Sequence, residues 1–207
     1  MQVAIDGPAG AGKTSVGRTV ANRFSLLFIR SGKLYRALAY GEIHDLNRDT
    51  LSLKPKGDGD TLLVLEGRTI AAELDSEEIG EAASKLARRD DIRDLVNDKI
   101  SEAAGEHDVL VEGRDIGTKV LPGADLKVYL TATPEARARR RQAQTENDRS
   151  LEEIKTEIAR RDERDRTREL APLKAADDAV VIDTTSMTEA EVVEEVSDLL
   201  SRRTEKG

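Results

Sequence analysis

The sequence predicts an α/β fold in which a five-stranded parallel sheet is flanked by helices. Three observations lead to this prediction. Short apolar runs alternate along the chain with segments that carry apolar residues at helical spacing. Two of these runs, at residues 109–111 and 126–130, are continuous, which is typical of strands buried on both faces of a sheet, and five strands in all alternate with helices. The length of 207 residues suits one domain, so we predict a single domain over residues 1–207.

The predicted elements follow one another in the order that such a sheet requires. The five strand candidates are residues 3–6, 26–29, 109–111, 126–130 and 180–182. Helical spacing covers residues 13–25, 33–46, 92–104 and 150–169, and further helices start at Pro134 and after Thr188. The pairs Ser150 with Glu153 and Thr188 with Glu191 match the capping box that opens a helix.

Residues 57–104 predict a small α+β insertion. The segment 47–60 has the composition of a loop, whereas residues 61–65 and 68–74 flank a Glu-Gly turn and indicate a hairpin. Asp75 and Glu78 are spaced as a capping pair for a helix that runs through Ala87. No linker separates these elements from the rest of the chain.

The composition excludes several classes of protein. The chain has no cysteine, which excludes disulfides and thiolate metal sites. A strand begins within residues 1–5, and no apolar run approaches the ~20 residues that span a bilayer, so we expect no signal peptide, no membrane partner and a cytoplasmic location. The net charge of -8 and the aromatic content of 2% argue against a nucleic-acid partner. We expect a monomer, because no amphipathic interface stands out.

The loop after the first strand carries the clearest functional signal. Its sequence, Gly7-Pro-Ala-Gly-Ala-Gly-Lys-Thr14, matches the phosphate-binding pattern G-x-x-x-x-G-K-[ST] at every fixed position. Glycine lets backbone N–H groups approach phosphate oxygens, and the following helix turns its positive end toward the anion. Lys13 can reach the β- and γ-phosphates of ATP, and the Thr14 hydroxyl can bind Mg²⁺. The predicted ATP-binding residues are Gly7, Pro8, Ala9, Gly10, Ala11, Gly12, Lys13, Thr14 and Ser15.

This loop alone does not name a reaction, because switches, motors and kinases all contain it. Four further segments narrow the choice: Ser31-Gly-Lys-Leu-Tyr-Arg36; Ala83-Ser84 with Ile92-Arg93; Val111-Glu-Gly-Arg-Asp-Ile-Gly-Thr118; and Arg161-Asp-Glu-Arg-Asp-Arg-Thr-Arg168 followed by Ala171-Pro-Leu173. Together with the loop they resemble the bacterial cytidylate kinases, which are nucleoside monophosphate kinases, over residues 5–183. The last two segments are the specific ones, since adenylate kinases share the loop but not these segments.

The resemblance implies a P-loop kinase fold and transfer of a phosphoryl group from ATP to CMP or dCMP. It also implies a CMP-binding region at residues 31–104 and a mobile helical lid near residues 137–160. The positions that match the family's acceptor-binding residues are Ser31, Arg36, Ser84, Arg93, Arg114, Asp115, Arg161, Asp165 and Arg168. The predicted catalytic set consists of Lys13, Arg114 and Asp115 with Arg137 and Arg140 from the arginine-rich start of the lid helix.

Within the acceptor set, the resemblance assigns Ser84, Arg93 and Arg168 to the cytosine and places Arg161 and Asp165 at the sugar. Ser31, Arg36 and Arg114 match positions that hold the acceptor nucleotide. The chain also departs from the family pattern. Arg30 stands where the family usually has Asp, Asp75 where an Arg is common, and Asp90 where a Pro is common, and the stretch 142–150 is short.

The arginines also indicate phosphate chemistry without the family. Arg161, Asp165 and Arg168 are spaced at i, i+4 and i+7 and therefore share one helix face. Arginine suits planar, bidentate partners such as phosphate, and Asp can accept a hydrogen bond from a ribose hydroxyl. The alternative is a solvated helix face crossed by ion pairs. Ser84 and Arg93 can likewise be ordinary helix residues.

Arg114 and Asp115 follow a buried strand, at the edge where ligands bind in open α/β sheets. We expect Arg114 to bridge the donor and acceptor phosphates, and Asp115 to hold either Arg114 or a water bound to Mg²⁺. A purely structural Arg–Asp pair is the alternative. Asp6, just before the phosphate loop, faces Mg²⁺ through water or has a structural role.

Other acceptors and other classes of protein stay open at this stage. UMP, AMP, dTMP and shikimate are alternative acceptors, and Ser84, Arg93 and Arg168 are the residues that distinguish CMP from them. A nucleotide-dependent switch would need an N-K-x-D segment after a strand, which the sequence lacks. A nucleotide 5′-phosphate has its second pKa near ~6 and is largely a dianion at pH 7, so it needs no general base. This agrees with the absence of a suitable partner for His44 or His107.

Overall fold

The computed structural model describes residues 1–144, 150–167 and 170–204. The strands are β1 (Gln2–Asp6), β2 (Leu27–Arg30), β3 (Ser52–Pro55), β4 (Thr61–Leu65), β5 (Arg68–Ile70), β6 (Val109–Gly113), β7 (Leu126–Thr131) and β8 (Val180–Asp183). The α-helices are α1 (Lys13–Arg23), α2 (Ser31–Ile43), α3 (Glu77–Leu86), α4 (Asp90–Glu106), α5 (Pro134–Gln144), α6 (Leu151–Thr167) and α7 (Glu189–Thr204).

Five of the strands form the predicted parallel sheet, which is confirmed. Their spatial order is β2-β6-β1-β7-β8, so β1 lies at the centre and pairs in parallel with β6 and β7. An apolar cluster covers each face of the sheet. One cluster joins the sheet to α2, α4 and the elements between them, and the other joins it to α1 and α7. The aliphatic runs of the strands are therefore buried on both sides, as continuous apolar runs require.

The helices α5 and α6 have an apolar cluster of their own. It consists of Ala138, Ile154 and Ile158, with Leu151 partly buried against it. Helix α6 opens with the predicted capping box, since the Ser150 amide donates to Glu153 Oε2 at 2.8 Å and the Glu153 amide donates back to Ser150 Oγ at 3.3 Å. The predicted box at Thr188 and Glu191 opens α7 in the same way.

Residues 52–106 form the α+β part between β2 and β6. Its sheet has the order β3-β4-β5 and is antiparallel, as the predicted hairpin at β4 and β5 requires. Two expectations were wrong here. The segment 47–60 was predicted as a loop, but it contains β3, a half-exposed edge strand that ends in Pro55, where proline is tolerated. Helix α3 is capped by Ser76, whose hydroxyl accepts from the Ile79 amide, rather than by Asp75.

The parallel sheet places the functional loops at one edge. Asp6 and Gly113 end their strands in register, and Arg30 and Thr131 end theirs within two residues of that level. The segments that follow the four strands therefore meet at the carboxyl end of the sheet. A glycine is needed where the chain leaves β1. Gly7 has φ +148°, and a Cβ at this position would lie 2.0 Å from the Leu130 carbonyl oxygen. In the described residues, no helix has the length and apolar character needed to cross a membrane.

Candidate active site

The phosphate loop has the backbone that its sequence predicts. Gly10 and Gly12 have φ values of +77° and +93°, and Gly12 is the N-cap of α1 without a side-chain hydrogen bond. The first amides of α1 are therefore not capped by a side chain, and they add to the positive end of the helix dipole. Lys13 Nζ donates to the Pro8 carbonyl oxygen at 2.8 Å, and Ser15 Oγ to the Gly12 carbonyl oxygen at 3.2 Å. The loop is thus closed on itself around an anion-binding concavity.

Lys13 is buried in this loop and its charge is costly there. Burial, followed by the positive charge of Arg114, lowers the pKa of the Lys13 ammonium to about 7, and Arg161 acts in the same direction. The negative charge of Glu112 partly opposes this effect. An anion that enters the loop favours the charged form of Lys13. The position is therefore electrostatically suited to phosphate.

Thr14 and Glu112 bring a hydroxyl and a carboxylate together beside the loop. Thr14 Oγ1 lies 2.9 Å from both Oε1 and Oε2 of Glu112. Glu112 belongs to β6 and stands in register with Ile5 of β1. Hydroxyl and carboxylate oxygens are the ligands that Mg²⁺ prefers. The sequence-based site did not include Glu112, although an acidic residue at the end of the strand beside the phosphate-loop strand is a recognisable signal.

Asp6 supports the segment after β6. Its two carboxylate oxygens accept hydrogen bonds from the amides of Ile116 and Gly117 at 2.9 and 2.8 Å. Burial raises the pKa of Asp6 to about 6, although these hydrogen bonds work in the opposite direction. Both oxygens are used within the protein, so the geometry favours the structural role over contact with a metal-bound water.

Arg114 and Asp115 diverge from each other. Arg114 Nε donates to Asp165 Oδ2 of α6 at 2.9 Å, and its Nη1 donates to the Gly113 carbonyl oxygen at 3.2 Å. Asp115 instead forms a buried ion pair with Arg93 of α4. Arg93 Nη1 also donates to the carbonyl oxygen of Ala87, just after α3. These contacts join the segment after β6 to α6 on one side and to α3 and α4 on the other.

Ser31 and Arg36 lie on α2 at the same edge of the sheet. Ser31 is buried, and a Cβ at Gly113 would lie 2.7 Å from its hydroxyl oxygen, so the glycine makes room for it. Arg36 Nη1 donates to the carbonyl oxygens of Leu74 and Ser76 at 2.6 and 3.1 Å. Ser84 is exposed on α3.

The positive charges converge on the cleft beside the phosphate loop. The charges of Arg114 and Arg161 act on Lys13. Burial lowers the pKa of Arg36; the charge of Asp75 opposes this effect, and the charge of Arg141 adds to it. Such a concentration of like charge is unfavourable unless an anion occupies the cleft. We call Lys13, Arg36, Arg114, Arg141 and Arg161 the cationic cluster. Arg168 lies outside the described residues.

Arg137 and Arg140 of α5 bind protein oxygens in this structure. Arg137 Nε donates to the Ala132 carbonyl oxygen, and its Nη1 donates to the Ala9 carbonyl oxygen, both at 3.0 Å. Arg140 Nη1 donates to Thr184 Oγ1 at 2.8 Å, and its Nη2 to the Thr184 and Met187 carbonyl oxygens. Both arginines thus anchor α5, one to the phosphate loop and the other to the segment after β8.

A known protein family matches nearly the whole sequence of this chain. The model of the family described as "Cytidylate kinase" matches residues 3–202. The chain belongs to the cytidylate kinase family. Among curated cytidylate kinases, that of Magnetococcus marinus is 38% identical over 220 residues, covering 100% of this chain and 98% of the relative. That of Geobacillus kaustophilus is 41% identical over 221 residues, covering 98% and 97%.

Solved structures show the same fold at low sequence identity. A gluconokinase from Sinorhizobium meliloti 1021 superposes with a TM-score of 0.54 at 18% identity, covering 99% of this chain and 94% of that one. A shikimate kinase from Bacteroides thetaiotaomicron gives 0.53 at 16% identity, covering 97% and 98%. These likenesses concern the fold alone. They confirm the P-loop kinase fold of this member of the cytidylate kinase family.

Two departures from the cytidylate kinase pattern have charged partners. Arg30 Nη2 lies 3.3 Å from Asp60 Oδ2, and Asp75 pairs with Lys33 of α2. All four side chains line a cavity of about 250 Å³ between α2 and the antiparallel sheet. The charge that each departure introduces is therefore balanced locally.

Proposed function

We propose that this chain catalyses the transfer of the γ-phosphoryl group of ATP to the 5′-phosphate of CMP and dCMP. The observation that carries the proposal is the cationic cluster, in which the charges of Arg114 and Arg161 act on Lys13 of the phosphate loop, in a chain of the cytidylate kinase family. A cleft that binds two polyanionic nucleotides needs more positive charge than the loop alone supplies. The products are ADP with CDP or dCDP.

The chain's own residues act mainly by position and charge. An acceptor 5′-phosphate is already largely a dianion at pH 7, so it attacks without a general base. Two anions that repel each other must be held in line, and the charge on the transferred group must be neutralised. Lys13 at the donor phosphates and Arg114 between the two nucleotides supply these charges. Asp165, bonded to Arg114 Nε, orients that guanidinium.

Mg²⁺ fits beside the loop, because Thr14 and Glu112 supply hydroxyl and carboxylate oxygens at one point. When bound, the ion neutralises part of the charge on the β- and γ-phosphate oxygens. Thr14 and Glu112 are the residues that would hold it.

The acceptor nucleotide is proposed to lie between α2, α3 and α6. Ser31, Arg36 and Arg114 would bind its phosphate, and Arg161 and Asp165 its sugar. The cytosine would contact Ser84, Arg93 and Arg168. Arg93 is held by Asp115 and the Ala87 carbonyl oxygen, which gives it a fixed orientation for reading a base edge.

Two parts of the chain are proposed to close over the substrates and exclude water. They are the CMP-binding region at residues 31–104, with its insertion at about 57–104, and the lid near residues 137–160. A monomeric state, a cytoplasmic location and the absence of a nucleic-acid partner stay predictions.

The test is an assay of ADP release with Mg·ATP and each of CMP, dCMP, UMP, AMP, GMP and dTMP. We expect strong turnover with CMP and dCMP and little with the others. A Lys13→Met variant serves as the control for background hydrolysis. Strong turnover with a different acceptor would contradict the acceptor assignment while leaving the phosphate-loop chemistry intact, and no turnover at all would refute the proposed reaction.

A further inference from the structure

The Arg137–Asp162 pair is the most buried ion pair in the part of the chain that the structure describes. Arg137 Nη1 lies 2.5 Å from Asp162 Oδ2, and the two side chains are only 3% and 2% exposed. The same guanidinium donates to the carbonyl oxygens of Ala132 and Ala9. Arg137 therefore has almost no surface left to offer a substrate, although its position in the sequence predicts a catalytic arginine.

One of these bonds fixes the direction of a loop amide. In a trans peptide unit the C=O and N–H groups point in opposite directions, so an Ala9 carbonyl anchored to Arg137 aims the Gly10 N–H away from Arg137. Helix α5 also touches this unit, since a Cβ at Gly10 would lie 3.0 Å from Arg137 Cβ. On the preceding unit, Lys13 holds the Pro8 carbonyl oxygen. The two cations thus orient consecutive peptide units at the tip of the phosphate loop.

Asp162 connects this junction to the acceptor side of the cleft. It follows Arg161 on α6, and one turn later Asp165 binds Arg114. Because a helix is rigid over one turn, fixing Asp162 also fixes where Arg161 and Asp165 stand. A single polar junction therefore touches the donor loop, α5 and the acceptor-facing helix.

The chemistry of the pair is not that of a simple packing element. Asp162 Oδ1 is buried without a hydrogen-bond partner. A buried ion pair with an unsatisfied oxygen stabilises a protein less than an apolar pair of similar volume. Among the described residues, the surrounding cluster consists of Ala138, Ile154 and Ile158 with Leu151 partly buried against them, so apolar contacts specify the helix register weakly. Polar groups at such a place are best explained by the precise orientation that hydrogen bonds impose.

We propose that Arg137 and Asp162 are positioning residues that couple the phosphate loop to α6. Neither touches a substrate. Arg137 orients the Gly10 amide toward the donor phosphates, and Asp162 holds Arg137 while it sets the register of Arg161 and Asp165. The coupling to the acceptor rests on the proposed function, whereas the effect on donor binding depends only on the phosphate loop.

The test measures nucleotide affinity and turnover in an Asp162→Asn variant of the full chain. Both quantities are measured well below the unfolding temperature of the variant. We expect the Kd for Mg·ADP, measured by calorimetry, to rise about tenfold and kcat to fall tenfold or more. A purely structural role would lower the Tm but leave the Kd and kcat unchanged under these conditions. The single variant Arg137→Lys keeps the positive charge but loses the hydrogen bond to the Ala9 carbonyl oxygen. It should therefore bind ADP more weakly than the wild type.

The chain supplies a control ion pair that joins two other helices. Glu194 of α7 lies 2.7 Å from Arg23 of α1 in an exposed ion pair outside the proposed site and lid, and Glu194→Gln should leave Kd and kcat within twofold of wild type. A folded Asp162→Asn variant with wild-type ADP affinity and kcat would overturn the proposal. If the wild type does not turn over CMP, the proposed function is refuted instead. The two failures can be told apart, because ADP binding does not depend on the acceptor.

A second variant covers the case in which Asp162→Asn does not fold. The double variant Arg137→Met/Asp162→Leu replaces the ion pair by an apolar pair. If it folds and binds ADP about tenfold more weakly, the proposal is supported. Wild-type affinity and turnover in this variant would overturn it. Failure of both variants to fold would also overturn it, since the pair would then be a requirement of the fold alone.

Discussion

The carboxylate of Asp6 should make the protein less stable as the pH rises from acid to neutral. Its pKa is raised from the ordinary 3.8 to about 6, chiefly by burial. A group with a raised pKa binds its proton more tightly in the folded state, so the free energy of unfolding falls as pH rises from about 4 to about 6. The difference between these two pKa values, at roughly 1.4 kcal/mol per pH unit, corresponds to about 3 kcal/mol.

An Asp6→Asn variant isolates this effect. Asparagine cannot titrate, and its one oxygen can accept from only one of the Ile116 and Gly117 amides, which costs about 1–3 kcal/mol at every pH. We therefore expect the variant to be the less stable protein at pH 4.5. Its deficit should shrink by about 2 kcal/mol by pH 7.5, because part of the titration already lies below pH 4.5.

The assay is denaturant unfolding followed by circular dichroism at pH 4.5, 5.5, 6.5 and 7.5. The quantity that matters is the difference in unfolding free energy between wild type and variant, since titrating groups that do not interact with Asp6 cancel from it. Lys13 and Asp115 do interact with Asp6 and contribute a smaller change. An exposed-site variant, Asp58→Asn, should show no comparable drift between pH 5.5 and 7.5. The reasoning would be refuted if the difference in unfolding free energy between wild type and Asp6→Asn changed by less than about 0.5 kcal/mol between pH 4.5 and 7.5.

Three further predictions concern the site and the loop. Glu112→Gln removes a carboxylate beside Thr14, so we expect kcat to fall about 10- to 100-fold and the Mg²⁺ concentration for half-maximal activity to rise. An unchanged Mg²⁺ titration curve would contradict the metal assignment. Arg36→Met should raise the KM for CMP at least about tenfold, since a charge-assisted hydrogen bond contributes about 1.5–3 kcal/mol. The KM for ATP should stay within about twofold of wild type. Equal changes in both KM values would contradict an acceptor-specific role. Gly7→Ala should lower the free energy of unfolding by about 2 kcal/mol or more, because the new methyl group would lie 2.0 Å from the Leu130 carbonyl oxygen. Gly57→Ala is its control, since a methyl group there meets nothing within 4 Å, and equal losses in denaturant unfolding would refute the steric argument.

The parts of the fold that the sequence predicts are those with local causes. The phosphate loop needs glycines, a lysine and a hydroxyl at fixed spacing, and the buried strands need continuous apolar runs. The capping boxes at Ser150 and Thr188 are equally local, and they occur in the structure. Strand β3 was missed because its four residues are half exposed and end in Pro55, so their pairing with β4 is what makes them a strand.

The orientation of charged side chains has a non-local cause. The sequence predicts that Arg137 and Arg140 serve catalysis, but their helix position does not reveal which protein oxygens lie opposite them. Apart from the nearby Ala132 carbonyl oxygen, those oxygens belong to the phosphate loop, to α6 and to the segment after β8, all distant in sequence. For the same reason Asp115, expected beside Arg114 or a metal-bound water, is found with Arg93, whose helix packs there only in the folded chain.

The small apolar cluster between α5 and α6 has a consequence for hydrogen exchange. Backbone amides exchange by the cheapest opening available to them, and a segment stabilised by few apolar contacts opens well before the whole domain unfolds. Ala138, Ile154 and Ile158 bury far less apolar surface than the clusters on either face of the sheet. The amides of α6 should therefore exchange as one cooperative group, faster than those of β1 or β6, at a rate that tightly bound nucleotide slows.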